Sequence, residues 1–237
     1  MNPITGTTSI CMGSTATLSN ATASGVWSSA TTGVATINSS TGVVTPVAAG
    51  TSVIKYVVTN ASGCKDSVST TVTINTNPTV NALTGTQTVC PNATTTFSST
   101  TTGGVYSSSN TSIATVNAST GVITGVAAGT ATISYAVTNA SGCTTTVTRT
   151  VTVNAAPVLT AITGNTTIII AGTTTLSNST SGGTWSSSNT TIATINSSGV
   201  VTGVTAGTST ITYSVTNASG CLSSVTTLIT INPVANP

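Results

Sequence analysis

GVYSSSNTSIATVNASTGVITGVAAGTATISYAVTNASGC, from Gly104 to Cys143, is the middle of three near-copies of one sequence. The copy from Gly25 to Cys64 reads GVWSSATTGVATINSSTGVVTPVAAGTSVIKYVVTNASGC. The copy from Gly183 to Cys221 reads GTWSSSNTTIATINSSGVVTGVTAGTSTITYSVTNASGC. The cysteine that ends each copy recurs after 79 and then 78 residues. A fixed period of this size predicts an array of similar modules.

The period predicts three modules, which comprise residues 1–76, 77–155 and 156–237. Short stretches that contain proline separate them, at Asn75–Pro78 and Asn154–Pro157, and such linkers are semi-rigid. A module of this length buries only about 60% of its unfolded surface, so short junctions or cross-links would add stability. Because the first module lacks the proline lead-in of the other two, we expect the chain to be an excerpt of a longer array.

Within each module the apolar residues alternate with other residues, which is the period of a strand with one buried face. Ile54, Tyr56 and Val58 follow this pattern, and so do their counterparts in the other two copies. Glycine turns and an Asn-Ala-Ser-Gly hairpin punctuate the strands. About seven short strands per module, with turns every eight to twelve residues, predict an all-β sandwich.

The run W-S-S-S-N…I-A-T-[VI]-N…G-V-[IV]-T-G-V-x-A-G-T-x-T-I-[ST]-Y resembles the bacterial Ig-like (group 2) domain. The flanking T-V-C-P-N-A-T-T-T and N-A-S-G-C are similar to segments in large surface proteins of Bacteroidota-like bacteria. The resemblance implies three tandem Ig-like β-sandwich modules, placed outside the cell or on the bacterial surface. The short junctions between like modules predict that they form an elongated rod. Such domains recur in adhesins, in stalks of secreted enzymes and in phage structural proteins, so the fold leaves the function open.

The composition argues against enzyme chemistry. The chain has no histidine and no glutamate, and Asp66 is its only acidic residue. General acid–base pairs, Ser-His-Asp triads and carboxylate metal sites therefore lack their residues. A cysteine nucleophile would have no imidazole to activate it. We expect no catalytic residue, no cofactor and no metal site.

Charge is almost absent, since Ser and Thr make up 95 of the 237 residues and only four side chains are charged: Lys55, Lys65, Asp66 and Arg149. These four make no basic stripe, so nucleic acid is not an expected partner. No apolar run reaches the 18 residues of a spanning helix, so membrane insertion is not expected. Arg149 falls on the apolar side of the last strand, and we expect it near a sheet edge with its stem packed and its head in water.

One aromatic residue recurs at the start of each copy, as Trp27, Tyr106 and Trp185. We expect these side chains in the sandwich core, with carbohydrate stacking as the alternative. A second aromatic set lies in the alternating strand and is also predicted to be core: Tyr56, Tyr135 and Tyr213. Threonine runs at 94–96 and 144–146 suggest an ice-binding surface as another alternative. Such a surface needs a regular threonine ladder, and a 79-residue period does not stack short coils into one.

Five cysteines form two equivalent sets, one with two members and one with three. The two-member set comprises Cys11 and Cys90, with Ile169 in the third copy, and the three-member set comprises Cys64, Cys143 and Cys221. An odd count in an exported chain needs an explanation. The simplest pairing lies within modules, as Cys11–Cys64 and Cys90–Cys143, and leaves Cys221 free.

Strand counting favours a different pairing. The first and sixth turns of an up-and-down module lie at opposite ends, and eleven strand residues span about 36 Å. A disulfide tolerates only about 7 Å between its Cα atoms. The favoured bonds therefore cross the module junctions, as Cys11–Cys143 and Cys90–Cys221, and leave Cys64 for a preceding module or subunit. Within-module bonds stay open if a kinked first strand brings the two turns together.

Three functions fit these expectations. The first is a structural or adhesive repeat segment of a bacterial surface protein: a stalk, a spacer or a fibre shaft. The second is the subunit of a self-assembling extracellular filament. The third is a module that binds carbohydrate or protein through its loops. The expected partners are further Ig-like modules or identical subunits end to end, and surface glycans or proteins.

Overall fold

The computed structural model describes residues 1–234, and all of its regular elements are β-strands. The last three residues of the third predicted module lie outside the described residues. Each of the three sequence copies contributes to a set of seven strands, and each set forms one four-stranded and one three-stranded sheet. The prediction of an all-β fold of tandem sandwiches is confirmed.

In the first module the four-stranded sheet has the order β1-β7-β6-β3 and the three-stranded sheet the order β2-β5-β4. β1 pairs parallel with β7, and every other pair is antiparallel. The strands are β1 (Ser9–Cys11), β2 (Ala16–Thr17), β3 (Gly25–Ser29), β4 (Ala35–Ile37), β5 (Val43–Pro46), β6 (Gly50–Thr59) and β7 (Lys65–Asn75).

The second module repeats these orders as β10-β13-β14-β8 and β11-β12-β9. Its first strand again pairs parallel with its last, in the register Thr152↔Thr88 and Val153↔Val89. The strands are β8 (Thr88–Val89), β9 (Thr94–Thr96), β10 (Val105–Ser108), β11 (Ala114–Val116), β12 (Val122–Gly125), β13 (Gly129–Thr138) and β14 (Thr144–Val153).

The third module has the orders β15-β21-β20-β17 and β16-β19-β18, with β15 parallel to β21. The strands are β15 (Thr167–Ile169), β16 (Thr173–Thr175), β17 (Thr184–Ser187), β18 (Ala193–Ile195), β19 (Val200–Gly203), β20 (Gly207–Thr216) and β21 (Leu222–Asn232).

The parallel first strand fixes which turns lie at which end of a module. β1 ends at Cys11, in register with Asn75 at the end of β7, so the first turn lies where the chain leaves the module. The hairpin between β6 and β7 lies at the other end of the same ten-residue ladder, beyond Thr59↔Lys65. First turn and hairpin therefore lie at opposite ends of each sandwich.

The core of the first module lies between its two sheets. Ile54 and Val72 contribute from the four-stranded sheet, and Ala35 and Val44 from the three-stranded sheet, all with no exposed surface. The third module repeats this core with Ile211, Ile229, Ala193 and Val201. Burial alternates along the long strands, as in β6, because successive side chains of a strand point to opposite faces.

The chain forms two compact units, and the boundary between them passes through the second module. The first unit comprises Met1–Thr84, Ser98–Ser107 and Ser134–Thr148. The second comprises Gly85–Phe97, Ser108–Ile133 and the chain from Arg149 onwards. Each unit thus holds one whole module, one end of the second module and the junction between them.

Candidate functional site at the module junctions

A disulfide closes the junction inside the first unit. Cys11 is the last residue of β1, and Cys143 directly precedes β14. Their sulfur atoms are bonded, with 5.5 Å between the Cα atoms, across 132 residues of sequence. The first turn of one module is therefore joined to the hairpin of the next.

The second unit contains the equivalent bond. Cys90 is joined to Cys221, again with 5.5 Å between the Cα atoms, and the sequence separation is 131 residues. Both bonds are the cross-junction pairs that strand counting favoured. The within-module pairs do not form, because the first strand runs straight alongside the last strand and keeps the first turn at the far end from the hairpin.

At both junctions, one asparagine folds the hairpin and also holds the incoming linker. The Asn139 Oδ1 accepts hydrogen bonds from the N–H groups of Ser141 and Cys143, at 3.1 and 3.0 Å. Its Nδ2 donates to the Thr76 carbonyl of the linker at 2.8 Å. In the second unit Asn217 repeats this arrangement and donates to the Ala155 carbonyl at 2.7 Å. Sequence reasoning identified the hairpin but missed this second role of its asparagine.

The linkers are also bonded to the module that they leave. The Asn77 Nδ2 donates to the Met12 carbonyl at 2.9 Å, and the Met12 N–H donates to the Asn75 carbonyl at 3.0 Å. In the second unit the Asn154 N–H donates to the Val89 carbonyl at 2.8 Å. Each linker is therefore hydrogen-bonded on both of its sides, within one compact unit.

The family of these modules follows from their sequence. The model of the bacterial Ig-like domain (group 2) matches residues 68–148 and 147–222, which together are more than half of the chain. The chain belongs to this family. No curated protein matches the chain.

Three solved structures illustrate what the Ig-like array is similar to. The surface layer protein SbsC, domains 1–6, is 17% identical over 99% of this chain and 40% of its own, with a TM-score of 0.27. A fragment of intimin, in complex with the intimin-binding domain of its translocated receptor, is 20% identical over 68% of this chain and 65% of its own, with a TM-score of 0.34. Mouse cadherin-23 EC22–24 is 11% identical over 99% and 100%, with a TM-score of 0.25. The chain spans about two fifths of the length of the surface-layer structure of domains 1–6.

The recurring aromatic residues of the Ig-like modules pack in pairs. The ring centroids lie 4.4–4.6 Å apart in the three pairs, which are Trp27–Tyr56, Tyr106–Tyr135 and Trp185–Tyr213. Five of the six side chains are buried, whereas Trp185 is only partly buried, beside Ser198 and Asn178. Trp27 and Tyr106 present no open ring face for a sugar.

The hydroxyls of Tyr56, Tyr135 and Tyr213 each have two hydrogen-bond partners. The Tyr56 hydroxyl donates to the Thr22 carbonyl and accepts from the Gly25 N–H, both at 2.8 Å. A Cβ added at Gly25 would lie 2.2 Å from Cζ of Tyr56, so only glycine fits here. The other Ig-like modules repeat this contact with Gly104–Tyr135 and Gly183–Tyr213. Sequence reasoning missed it, although a glycine 30 or 31 residues before the tyrosine in all three copies was a usable signal.

The Arg149 side chain is half-buried, and its head has protein partners that sequence reasoning did not predict. Its guanidinium stacks over the ring of Phe97 at 5.5 Å and donates to the Gly85 carbonyl and the Gln87 Oε1, at 3.1 and 3.3 Å. The first and third modules have Leu18 and Leu176 in place of the phenylalanine, and threonine in place of the arginine. The second module therefore replaces a leucine–threonine pair by a cation–π pair.

The remaining polar groups of the Ig-like modules offer little chemistry. Asp66 is exposed, 3.5 Å from the Met1 amino group. Across residues 1–234 no three His, Cys, Asp or Glu side chains come together as a metal site would need. Burial raises the pKa of the Tyr106 phenol above its ordinary 10.0, and Tyr135 adds to the rise, while a hydrogen bond to the Ser99 backbone opposes it.

Two other expectations concern membranes and threonine runs. The described part of the chain contains no helix of the length and apolar character that a membrane span requires. Thr94–Thr96 forms β9 of a three-stranded sheet, whereas Thr144–Thr146 begins β14 of a four-stranded sheet. These runs do not share one ladder.

Proposed function

We propose that the chain is a structural segment of a bacterial surface protein, and that it acts outside the cell as a stalk, spacer or fibre shaft. The observation that carries this proposal is the disulfide at each junction, because it joins consecutive modules at a point beside the linker. A flexible string of modules needs no such bond. In a segment that holds a fixed spacing between its two ends, such a bond restricts bending at the junction.

The disulfides also support an extracellular location. Disulfides persist in oxidising compartments and are rare in the reducing cytosol. The family assignment agrees with a bacterial surface protein, and a spacer role requires neither a catalytic residue nor a cofactor. Solubility then rests on Ser, Thr and Asn, since the chain has only four charged side chains.

Small-angle scattering and negative-stain microscopy of the purified chain test the proposal. We expect single, discrete, elongated particles with a narrow distribution of end-to-end distance. The double variant Cys11→Ala, Cys143→Ala should keep its folded modules and broaden that distribution. A compact particle, or a variant as uniform as the parent, would contradict a spacer role.

The same images, together with a glycan array, separate the two alternative functions. Fibres of indefinite length would indicate a filament subunit instead. Clear hits on a glycan array, lost on substitution of the partly exposed Trp185, would indicate a carbohydrate-binding module.

A further inference from the structure

The hairpin of the first module is a surface whose two counterparts are both covered. It comprises Asn60–Cys64 and has the same fold as the hairpins at Asn139 and Asn217. The Asn60 Oδ1 accepts from the N–H groups of Ser62 and Cys64, at 3.0 and 2.9 Å. The Asn60 N–H donates to the Cys64 carbonyl at 2.9 Å, against 3.0 and 3.1 Å for the same bond in the other two copies. We call Asn60–Cys64 the module 1 hairpin.

The two other copies show what this surface receives. Cys143 and Cys221 are 1% and 0% exposed, and each is bonded to the first-turn cysteine of another module. Their asparagines donate Nδ2 to the carbonyl of the linker that leaves that module. Cys64, by contrast, is a free and exposed thiol. The module 1 hairpin is therefore pre-arranged for the same two interactions.

We propose that the module 1 hairpin is a docking surface for the carboxyl-terminal end of another Ig-like module that carries a cysteine in its first turn. Cys64 forms a disulfide with that cysteine, and the Asn60 Nδ2 donates to a carbonyl of the linker that follows it. This inference deepens the proposed function, on which it rests, by naming the partner of one end of the segment.

The partner differs in sequence from the third module of this chain. Ile169 occupies the first-turn position there, in register with Asn232 as Cys11 is with Asn75. Its side chain is 52% exposed and cannot form a disulfide. Identical copies of the chain therefore cannot form this disulfide head to tail, so the proposed partner is an Ig-like module of different sequence.

The bond forms by thiol–disulfide exchange with a low-molecular-weight disulfide as oxidant. The Cys64 thiolate attacks that disulfide and releases one small thiolate. The first-turn thiolate of the partner then attacks the mixed disulfide and releases the second. Two electrons pass from the two protein thiols to the small disulfide, and the two protons pass to the released thiolates.

The variant Ile169→Cys provides the missing half of the junction within the full chain. It is incubated in a glutathione redox buffer, and its disulfide-linked peptides are counted by mass spectrometry. We call a link symmetric when it joins the same position of two copies, 64 to 64 or 169 to 169. We expect links between position 169 of one copy and Cys64 of the next to exceed symmetric links by about tenfold, because docking raises the effective concentration of the two thiols. The exposed position makes the variant tolerable, and its melting temperature checks this.

Ala206→Cys is the matched control. Ala206 is also exposed and lies in the turn before β20, at the same end of the third module, but outside the first turn. Its links to Cys64 should be no more frequent than symmetric links. If Ile169→Cys gives the same proportions as Ala206→Cys, the docking surface does not exist.

A second variant tests the hydrogen bond of the docking surface. Asn60→Asp, made in the Ile169→Cys background, keeps the oxygen that folds the hairpin and removes the Nδ2 donor. It should lower the excess of head-to-tail links several-fold, and an unchanged excess would contradict the role of Asn60. These readouts report disulfide linkage alone. The expected linkage can be absent while scattering still shows an extended spacer, and it can be present while scattering shows a compact particle.

Discussion

Gly25 is a position at which the packing of an aromatic ring admits only glycine. Its backbone passes so close to the Tyr56 ring that a methyl group has no room, and its N–H is bonded to the phenol oxygen. The tyrosine in turn packs against Trp27. Because Gly25 has no side chain, the Tyr56 ring can lie against its backbone and pack on Trp27 in the core of the first module.

Gly25→Ala should lower the free energy of unfolding of the first module by about 1–3 kcal/mol, because overpacking forces the ring or the strand to shift. Calorimetry of the full chain measures the effect. Gly33→Ala is the control, since an added Cβ there meets no atom within 4 Å. It should leave stability unchanged or raise it by up to about 1 kcal/mol. Equal effects of the two substitutions would show that the contact with Tyr56 is unimportant.

Residue-scale contacts are also where prediction from sequence was weakest. Alternation along a strand shows which face is buried, and it placed Tyr56 and Ile54 in the core. It cannot show that the Tyr56 hydroxyl reaches back 31 residues, since that contact depends on how β3 lies beside β6. The protein partners of the Arg149 head were missed for a similar reason. Only the pairing of β8 with β14 brings Gly85 and Gln87 beside it.

At the scale of elements, strand counting was more informative than local pattern. Seven strands with alternating direction put the first turn and the hairpin at opposite ends, whichever strands pair. That single constraint separated the cross-junction disulfides from the within-module ones. What it could not supply was the asparagine that completes each hairpin, because an Asn-Ala-Ser-Gly loop is typical of many hairpins and its side-chain partners lie in the linker.

The hairpin asparagine gives a prediction for the third module. Asn217→Ala removes both acceptor bonds, to Ser219 and Cys221, and should lower its unfolding free energy by about 1–2 kcal/mol. Asn217→Asp keeps the acceptor oxygen and should lower the unfolding free energy by clearly less. Urea denaturation, monitored by tryptophan fluorescence, compares the two variants. An aspartate variant as unstable as the alanine variant would place the stabilising contact at the linker carbonyl instead.

At the scale of the whole molecule, the near-absence of charge determines the response to solution conditions. Between about pH 4 and 9, and between low and high salt, the melting temperature should hardly change, since few groups titrate and few pairs are screened. A large shift in that range would reveal an ion site or a bound partner.

Alkaline pH is the exception. The folded-state pKa of Tyr106 lies above its unfolded value of 10.0, so the folded state retains the proton longer. Its stabilising contribution is complete below that value and is lost as the pH rises through the folded pKa. We expect the melting temperature to fall above about pH 10. Tyr106→Phe should weaken that fall, and a variant with the same alkaline profile as the parent would assign the effect to another group.

The two disulfides overlap in sequence, and this sets a limit on how far the chain can be pulled. With both bonds intact, the shortest covalent route from one end to the other uses only residues 1–11, 90–143 and 221–237, which are 82 of the 237. Even with every sandwich unravelled, tension would extend this route to roughly 280 Å, against roughly 800 Å for the reduced chain, at about 3.3–3.6 Å per residue. The remaining residues would hang as two slack loops that carry no tension.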